Sequence, residues 1–577
     1  MSSAGRSRAT ALLAAFLPGA LTGTQVAGLL FFLNPHLPFD LVPVLRGVAF
    51  FGLLLGAASA LVLLPFYWPR PERARRWLPW SLTLVLTAAA ICTWAHASYF
   101  ALFLPAGINR RLLKAAILLS LAAVVCFYTA LIHHVRQRPY GRRSRLLISL
   151  LAIASIYVMM ERREAFKPRL GPGPRATTYA GSPRPQLLVV GLETATLDAI
   201  LPLAEQGRLP FFSRMLAKGS HARLTALEPV RRLPSWTTLA SGKLPFQHGV
   251  VSESAFAARF LGNRHVLSLV PAGIGFEYWG TWNERRRVDS GMRQVRAVWE
   301  IVGRLGLSTG LVGWPLSAPP PGQTRSRGVE IGLSERFFEG DESAAWPAEI
   351  AQRARLFRTR WSELAAEQVS RFGPAPPSVV VNAFLGDLWR EDLSFFLLEQ
   401  DPPIDAFFVV LPGLREISAQ YFGGYSAVQF EGERDAQTAK AAQLVAAYYE
   451  HLDDFLAKLW GHGRDSRLLA VVSAHGIEEA YGWRKVGFAL RRQPPLPGYV
   501  ERGPDGVLLL LGEGVRPGSR MGSAELVDLV PTLLYGLGFP IARDLDGAVL
   551  TNAFETAFRD RQPLTFLPSY ETFAAPE

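Results

Sequence analysis

Cysteine is scarce in this sequence: the 577 residues include two, Cys92 and Cys126. Both fall in apolar stretches of the first 160 residues, so the rest of the chain has no thiol. This absence excludes a disulfide framework and a thiolate metal site from everything after residue 160. The sequence also shows no internal repeat.

Long apolar segments are concentrated at the N-terminal end. The chain is 49% hydrophobic with a mean hydropathy of +0.16, which is too apolar for a soluble protein of ordinary composition. Five stretches are each roughly long enough to cross a hydrocarbon core of about 30 Å, and the last of them is the shortest. They are residues 10–33, 47–67, 77–104, 112–132 and 146–160. We predict that the first is a retained helix and not a cleaved signal peptide, because further spans follow it.

Basic residues predict the orientation of these spans. Arginines precede the first span and fill the connections between spans two and three and between spans four and five. All three positions lie on one side of the membrane, which the positive-inside rule makes the cytoplasm. We therefore expect an integral protein of a bacterial inner membrane, with a cytoplasmic N-terminus and a large extracytoplasmic domain. Arg110, Arg111 and Lys114 go against this assignment, because they fall at the predicted outer connection.

The net charge of +13 does not indicate a nucleic-acid-binding protein. Much of the excess comes from the short basic connections between spans and from other arginine-rich segments. We therefore predict the lipid bilayer as a partner and no nucleic acid. Other membrane proteins are possible partners of such a chain.

The sequence predicts two domains: a transmembrane helical domain over 1–163 and a globular domain over 186–577. Residues 164–185 between them are rich in proline and glycine, which is typical of a linker. In the globular domain, short apolar runs alternate with helical patterns, which indicates an α/β fold with a mostly parallel central sheet. The stretch 315–404 is irregular and is interpreted as a possible cap inserted over the sheet.

The predicted elements of the globular domain follow from these patterns. The strands are 186–192, 308–313, 405–411, 467–473 and 506–511. The helices are 196–205, 210–218, one from about 235, 293–305, 438–460 and 523–537.

Ligands of such sheets bind beyond the carboxyl ends of the strands. Glu193 follows the first strand, and Ala474 with His475 follows strand 467–473. The segment 412–422 follows a third strand. A helix start near Pro234 or Ser235 would add free N–H groups that favour an anion. We expect a functional site at this edge of the sheet.

Five segments in the same order resemble the alkaline phosphatase superfamily, in particular its type I phosphodiesterase and nucleotide pyrophosphatase branch. They are VVGLETATLDAILPLAEQGRLPFFSRML, PSWTTLASGKLPFQHGV, VRAVWEIVGRLGLSTGLVGWP, VVSAHG and LVDLVPTLLYGLGFPIARDLDG. The resemblance covers roughly residues 185 to 565. It implies the fold of that superfamily and a site with two zinc-type ions, held by three Asp and three His around a Thr or Ser nucleophile.

Carried over position by position, the resemblance predicts that most of these functional residues have been exchanged. The family positions are a metal-binding Asp at Glu193, the nucleophile at Arg232, an Asp and a His at Arg415 and Ala419, an Asp and a His at Ala474 and His475, and a final His at Arg502. We therefore predict no intact catalytic set and no bound cofactor. The alternative is two divalent ions, zinc or manganese, in a rearranged site.

Three of the exchanged positions hold arginine. Arg232, Arg415 and Arg502 against Glu193 give a charge of 3 − 1 = +2 without any metal, so with His475 they could bind a ligand that carries a phosphate or a sulfate. A competing interpretation is that the arginines form structural salt bridges with Glu193, Glu416 and Glu478. Ser235 and Thr237 lie near the nucleophile position, but they are expected on the helix and not at its edge. His248 is expected to be structural and Trp236 to belong to the core.

Three functional hypotheses remain open at this point. The first is an inactive phosphodiesterase-like protein that binds an anionic ligand or takes part in a membrane complex. The second is an active phosphodiesterase, phosphatase or envelope head-group transferase with a rearranged site, since five spans and an external domain of this superfamily resemble the layout of such transferases. The third is a function in the membrane segment itself, for which His96 is the notable ionisable residue.

Overall fold

The structure is a computed structural model of the chain. It describes residues 3–161, 184–262, 264–272, 284–318, 330–432, 435–479, 497–500 and 504–571. The chain divides into two compact units: Met1–Pro168 with Val251–Val288 in one, and Arg169–Val250 with Asp289–Glu577 in the other. The linker expected at 164–185 lies almost entirely outside the described residues.

The first unit is built on five long helices, as the sequence predicts. They are α1 (Ser3–Leu33), α2 (Leu41–Tyr67), α3 (Pro71–Tyr99), α4 (Ala106–Val135) and α5 (Arg142–Met160). Each is long and apolar enough to cross a membrane, and α1 is the most buried of the five. Gln25 of α1 donates a hydrogen bond to the Ser155 hydroxyl of α5 over 3.0 Å, which satisfies polar groups that lipid could not.

The remaining α-helices belong to the second unit. They are α6 (Leu197–Glu205), α7 (Pro210–Lys218), α8 (Arg232–Ser241), α9 (Pro245–His248), α10 (Val298–Arg304), α11 (Glu335–Phe338), α12 (Glu349–Val369), α13 (Ser378–Leu398), α14 (Gly413–Ser426), α15 (Ala436–His462), α16 (Leu529–Gly536) and α17 (Thr556–Arg561). The strands are β1 (Gln186–Leu192), β2 (Ser220–Thr225), β3 (Ser254–Ala257), β4 (Val266–Leu267), β5 (Arg285–Arg287), β6 (Thr309–Val312), β7 (Glu330–Leu333), β8 (Ala345–Trp346), β9 (Ala406–Leu411), β10 (Arg467–Ser473), β11 (Glu478–Glu479), β12 (Gly498–Tyr499), β13 (Gly506–Gly512), β14 (Ser519–Glu525), β15 (Ile541–Ala542) and β16 (Phe566–Leu567).

The second unit contains a mostly parallel sheet of nine strands, in the order β14-β2-β13-β10-β1-β9-β6-β7-β8. Its centre is parallel: β1 pairs with β10 on one side and with β9 on the other. Strands β1 and β9 are buried along their whole length, which explains their continuous apolar sequences. The parallel arrangement brings the carboxyl ends of β1, β9 and β10 to one edge of the sheet.

Several predicted elements differ from the observed ones. Helix α10 begins at Val298 and not at 293, because the Glu300 side chain accepts a hydrogen bond from Ala297 N and so caps the helix at that point. The predicted helix 523–537 is wrong in its first part: residues Ser519–Glu525 form the edge strand β14, and α16 begins at Leu529. The stretch 315–404 is more regular than expected, because it holds α12, α13 and the strands β7 and β8, which extend the sheet.

Candidate functional site

Glu193 is the first residue after β1 and lies in the interior of the protein. Its side chain is 2% exposed, and its backbone N–H donates to Leu411 O at the end of β9. The next residue, Thr194, has a backbone φ of +67°, a conformation that residues other than glycine rarely adopt. The chain therefore turns sharply at the strand end and leaves the Glu193 carboxylate at the edge of the sheet.

Arg232 begins α8 and reaches the same carboxylate. Its Nε donates to Glu193 Oε1 over 2.7 Å, and its terminal nitrogens donate to both carboxylate oxygens of Glu335, which follows β7. Burial alone would lower the pKa of Arg232, but the charges of Glu193 and Glu335 raise it above its ordinary value. Arg232 is therefore a permanent cation that is shared by two carboxylates.

Arg415 lies in the first turn of α14, directly after β9. Its Nε is 3.0 Å from the second oxygen of Glu193, Oε2. The two arginines differ in exposure: the Arg415 side chain is 39% exposed and that of Arg232 is 16% exposed. Burial would raise the pKa of Glu193, but the charges of Arg232 and Arg415 and the Arg232 hydrogen bond hold this pKa below its usual range. Glu193 is therefore ionised at neutral pH.

The end of β10 carries no second carboxylate. Ala474 is buried, and the His475 ring donates through Nδ1 to Gly476 O over 2.9 Å. Burial lowers the pKa of His475, so the ring is neutral at neutral pH. Ala419 is exposed on α14 and has no donor atom for a metal, and Arg502 lies outside the described residues.

The hydroxyl groups near Arg232 are in use or enclosed. Thr237 donates to Leu233 O over 2.7 Å within α8, and Ser235 is fully buried. His248 bonds the Thr238 hydroxyl, and burial beside Arg293 lowers its pKa to about 3. These contacts agree with the structural role expected for His248. Trp236 is buried in the core, as predicted, and packs edge-on against Trp314.

Glu335, the second partner of Arg232, was not predicted from the sequence. The competing interpretation of the sequence paired the arginines with Glu193, Glu416 and Glu478. The pair with Glu193 exists, whereas Glu416 is exposed and forms no ion pair with a described residue. Glu335 stands two residues after the end of β7, whereas Glu193 directly follows β1. The signal was present, but β7 is a four-residue strand inside the stretch interpreted as irregular.

A second buried polar group lies behind Arg415 and was also missed. Asp387 of α13 accepts hydrogen bonds from Gly413 N over 3.1 Å and from the Tyr448 hydroxyl over 2.8 Å. It therefore holds the first residue of the helix that carries Arg415. A side chain at position 413 would overlap the Tyr448 hydroxyl, so this close approach requires glycine. Burial raises the pKa of Asp387 to about 7, although Arg390 opposes the shift.

Arg390 of α13 adds a third cation near the site. It is 9% exposed, its guanidinium lies 4.1 Å from the centre of the Phe338 ring, and one nitrogen donates to Gly386 O. It interacts electrostatically with Asp387, Glu335 and Glu193. The described site is therefore a connected set of cations and carboxylates at the carboxyl edge of the sheet.

These residues do not fit a pair of divalent ions. Within the described part of the chain, no group of three or more His, Cys, Asp or Glu side chains is arranged to hold a metal. Even a catalytic zinc site takes about three protein ligands. Glu193 is enclosed by guanidinium groups, and a cation would have to displace both of them. The prediction that no metal binds remains a prediction, and we derive no chemical step through one.

The sequence model of the type I phosphodiesterase / nucleotide pyrophosphatase family matches residues 186–499, which is more than half of the chain. The chain belongs to this family. The resemblance found in the sequence is thereby confirmed. No curated protein sequence matches the chain.

Several solved structures are similar to this chain at low sequence identity. An inactive variant of murine ectonucleotide pyrophosphatase / phosphodiesterase 5 in complex with AMP is 13% identical over 64% of this chain and 100% of its own, with a TM-score of 0.39. A mutant of the alkaline phosphatase PafA is 11% identical over 65% of this chain and 100% of its own, with a TM-score of 0.44. The phosphonate monoester hydrolase SpPMH from Silicibacter pomeroyi is 14% identical over 65% and 78%, with a TM-score of 0.36.

Proposed function

We propose that this chain is a membrane-anchored family member that does not hydrolyse phosphodiesters and acts by binding, as a component of a membrane complex. The observation that supports the proposal is the state of Arg232. At the position where the family places its nucleophile, this chain has a cation that is bound by Glu193 and Glu335. A guanidinium group stays protonated and has no electron pair with which to attack phosphorus.

The charges of the site support the same conclusion. Arg232 and Arg415 against Glu193 and Glu335 give 2 − 2 = 0. The carboxylates that metals would need are therefore already neutralised by arginines. The value of +2 expected from the sequence lacked Glu335 and the third cation, Arg390, and it included Arg502, which lies outside the described residues.

A turnover assay on the full chain in detergent tests the proposal. We expect no hydrolysis of bis(p-nitrophenyl) phosphate with added Zn²⁺ or Mn²⁺ above the rate of a chelator-treated sample. Glu193→Ala and Glu416→Ala provide a matched pair, because Glu416 is an exposed carboxylate of α14 outside the network. Metal-dependent turnover that Glu193→Ala abolishes and Glu416→Ala leaves intact would establish the rearranged enzyme instead.

A specific observation favours a phosphate- or sulfate-bearing ligand at Arg415. Its side chain is 39% exposed. Among the described residues it pairs with the Glu193 carboxylate, and the pairing atom is Nε. Its two terminal nitrogens are therefore available for the fork-shaped hydrogen bonds that guanidinium groups make with such anions. Arg232 offers no equivalent donors, since Glu193 and Glu335 use them.

Thermal unfolding with and without inorganic phosphate or sulfate tests the anion site. We expect the anion to raise the unfolding temperature of the wild type and not that of Arg415→Gln. The matched control is Arg464→Gln, because Arg464 is 40% exposed and also pairs with one carboxylate, Asp405. An equal rise in all three proteins would rule out an anion site at Arg415.

A further inference from the structure

Residues 251–288 are a long excursion from the second half of the chain that belongs to the membrane-helix unit. Their strands β3, β4 and β5 form an antiparallel sheet with β3 in the middle. Asn34, which follows α1 and is fully buried, accepts from Ser268 N and Leu269 N and donates to Leu269 O over 2.7 Å. The excursion therefore lies at the connection between α1 and α2, where the first two spans leave the hydrocarbon.

Phe260 fixes the tip of this excursion against α2. It lies in a short 3-10 helix, Arg259–Leu261, and its ring contacts Phe31 and Phe51 edge-on at centroid distances of 6.3 and 5.3 Å. A Cβ atom at Gly47 would come within 3.3 Å of the same ring. Arg46 precedes Gly47, and Arg259 precedes Phe260. The two arginines therefore lie on adjoining parts of the surface.

Arginines dominate the exposed face of this region. Arg46, Arg259, Arg264 and Arg285 are all exposed. The described residues of the excursion contain five arginines and two carboxylates, which gives 5 − 2 = +3. The carboxylate of Glu284 lies 3.8 Å from the Arg259 guanidinium, and both side chains are about half exposed. An exposed pair of this kind neutralises little of the charge.

The place of Arg46 near the start of α2 relates this positive face to the head groups of a bilayer that α2 would cross. Arg46 is five residues into α2, about 8 Å from its start at a rise of 1.5 Å per residue. The head-group layer is about 5–8 Å thick on each side of a bilayer. Exposed apolar side chains share that part of the helix, since Leu41, Val42 and Leu45 are each more than half exposed. A bilayer that α2 crosses would therefore meet Arg46, and Arg259 beside it, close to its phosphate layer.

The positive-inside rule does not explain why these arginines lie on this side of the helices. The basic clusters that predict orientation lie at the opposite ends of the helices, before α1 and in the α2–α3 and α4–α5 connections. On the side of Asn34, the helix residues Arg111 and Lys114 are paired with Glu161 over 2.7 and 2.8 Å. Among the described residues, Arg46, Arg264 and Arg285 form no ion pair, and Arg259 has the half-exposed pair with Glu284.

We propose that Arg46, Arg259, Arg264 and Arg285 form a binding surface for the head groups of anionic phospholipids. Each arginine near an anionic surface adds about 1 kcal/mol of attraction at ordinary ionic strength. The apolar contacts of Phe260 hold the arginines in place, and the guanidinium groups then pair with lipid phosphates. The excursion thus selects the lipids that surround α1 and α2.

The test uses the full chain in detergent micelles and compares added dioleoylphosphatidylglycerol with dioleoylphosphatidylcholine. We expect the anionic lipid to raise the unfolding temperature by a few degrees more than the neutral lipid, and high salt to remove the difference. The variant Arg46→Gln/Arg259→Gln/Arg264→Gln should lose the difference. The matched control carries three exposed arginines of the second unit as glutamine: Arg516, Arg520 and Arg543.

Three results would overturn the proposal. One is an equal effect of both lipids on the wild type, and another is a lipid difference that the triple variant keeps. The third is an effect that soluble glycerol 3-phosphate reproduces, because it would indicate a small-anion site and not a lipid surface. If the triple variant fails to fold, Arg46→Lys/Arg259→Lys/Arg264→Lys keeps the charge and should keep the lipid difference, while Arg264→Gln alone should reduce it.

Discussion

Glu193 and Asp387 are both buried carboxylates near the same sheet edge, but their surroundings push their acidities in opposite directions. Glu193 is flanked by two guanidinium groups, which hold its pKa below the usual range. Asp387 receives a backbone N–H and a tyrosine hydroxyl, and burial raises its pKa to about 7. The comparison shows that paired cations, and not depth, decide which of the two is a permanent charge.

The two carboxylates also have different tasks. Glu193 binds the two arginines that stand at family catalytic positions, so it organises the charges of the site. Asp387 fixes Gly413, and through it the start of the helix that presents Arg415. One residue therefore holds the arginines by charge, and the other holds the backbone beneath one of them.

Removing the charge of Glu193 should have the largest effect on stability. Glu193→Gln leaves Arg232 with one carboxylate and Arg415 with none among the described residues, so we expect a loss of about 3–5 kcal/mol. The matched control Glu416→Gln changes an exposed carboxylate and should cost under about 0.5 kcal/mol. Unfolding of both variants in detergent at neutral pH measures the difference. A cost for Glu193→Gln as small as that of the control would show that the ion pairs are not stabilising.

Asp387 should produce a pH-dependent effect of similar size. Because its pKa is raised in the folded state, the stability that it contributes is present below about pH 4 and is lost as the pH rises through 7. The full loss is on the order of 4 kcal/mol, at about 1.36 kcal/mol per pH unit between the two pKa values. Asp387→Asn should lack this slope, so it gains stability relative to the wild type as the pH rises.

Unfolding temperatures of wild type and Asp387→Asn at about pH 5 and about pH 8 test this expectation. Glu193 gives the opposite sign: its lowered pKa means that its contribution is present above the ordinary pKa of glutamate and is lost only in acid. Parallel stability curves for wild type and Asp387→Asn would mean that Asp387 is ionised throughout this range.

Arg415 should give the smallest effect on stability. Its side chain is 39% exposed, and exposed ion pairs contribute about 0.2–1 kcal/mol. Arg415→Gln should therefore cost much less than Arg232→Gln, although both residues pair with Glu193. Urea unfolding of the two variants side by side provides the measurement. Equal costs would place Arg415 in the structural network with Arg232 and would leave no accessible cation for a ligand.

The general fold could be predicted from the sequence because its signals are local. Buried strands such as β1, β9 and β10 are continuous apolar runs, and the five N-terminal helices are long apolar segments. Strands that are short or exposed gave no such signal. The edge strand β14 is mostly exposed and contains glycine and serine, and β7 has four residues. Neither strand was predicted from the sequence.

The site was predicted in part for the same reason. Glu193, Arg232 and Arg415 were found because they lie at recognisable strand ends and family positions, and the structure brings all three together. Glu335 and Asp387 come from a segment without recognisable family motifs, and their contacts join residues that are 103 and 61 positions apart. The packing of the described residues of 251–288 against the N-terminal helices likewise depends on long-range contacts. No local sequence pattern indicates these contacts.

Metal content of the full chain, purified in detergent without chelator and measured by elemental analysis, tests most directly whether arginines have taken the place of the ions. We predict zinc and manganese well below one equivalent per chain, with no increase after incubation with either ion and removal of the excess. Metal near two equivalents that falls in Glu193→Ala and remains in Glu416→Ala would contradict the account, because it would show that the ions displace the guanidinium groups from Glu193.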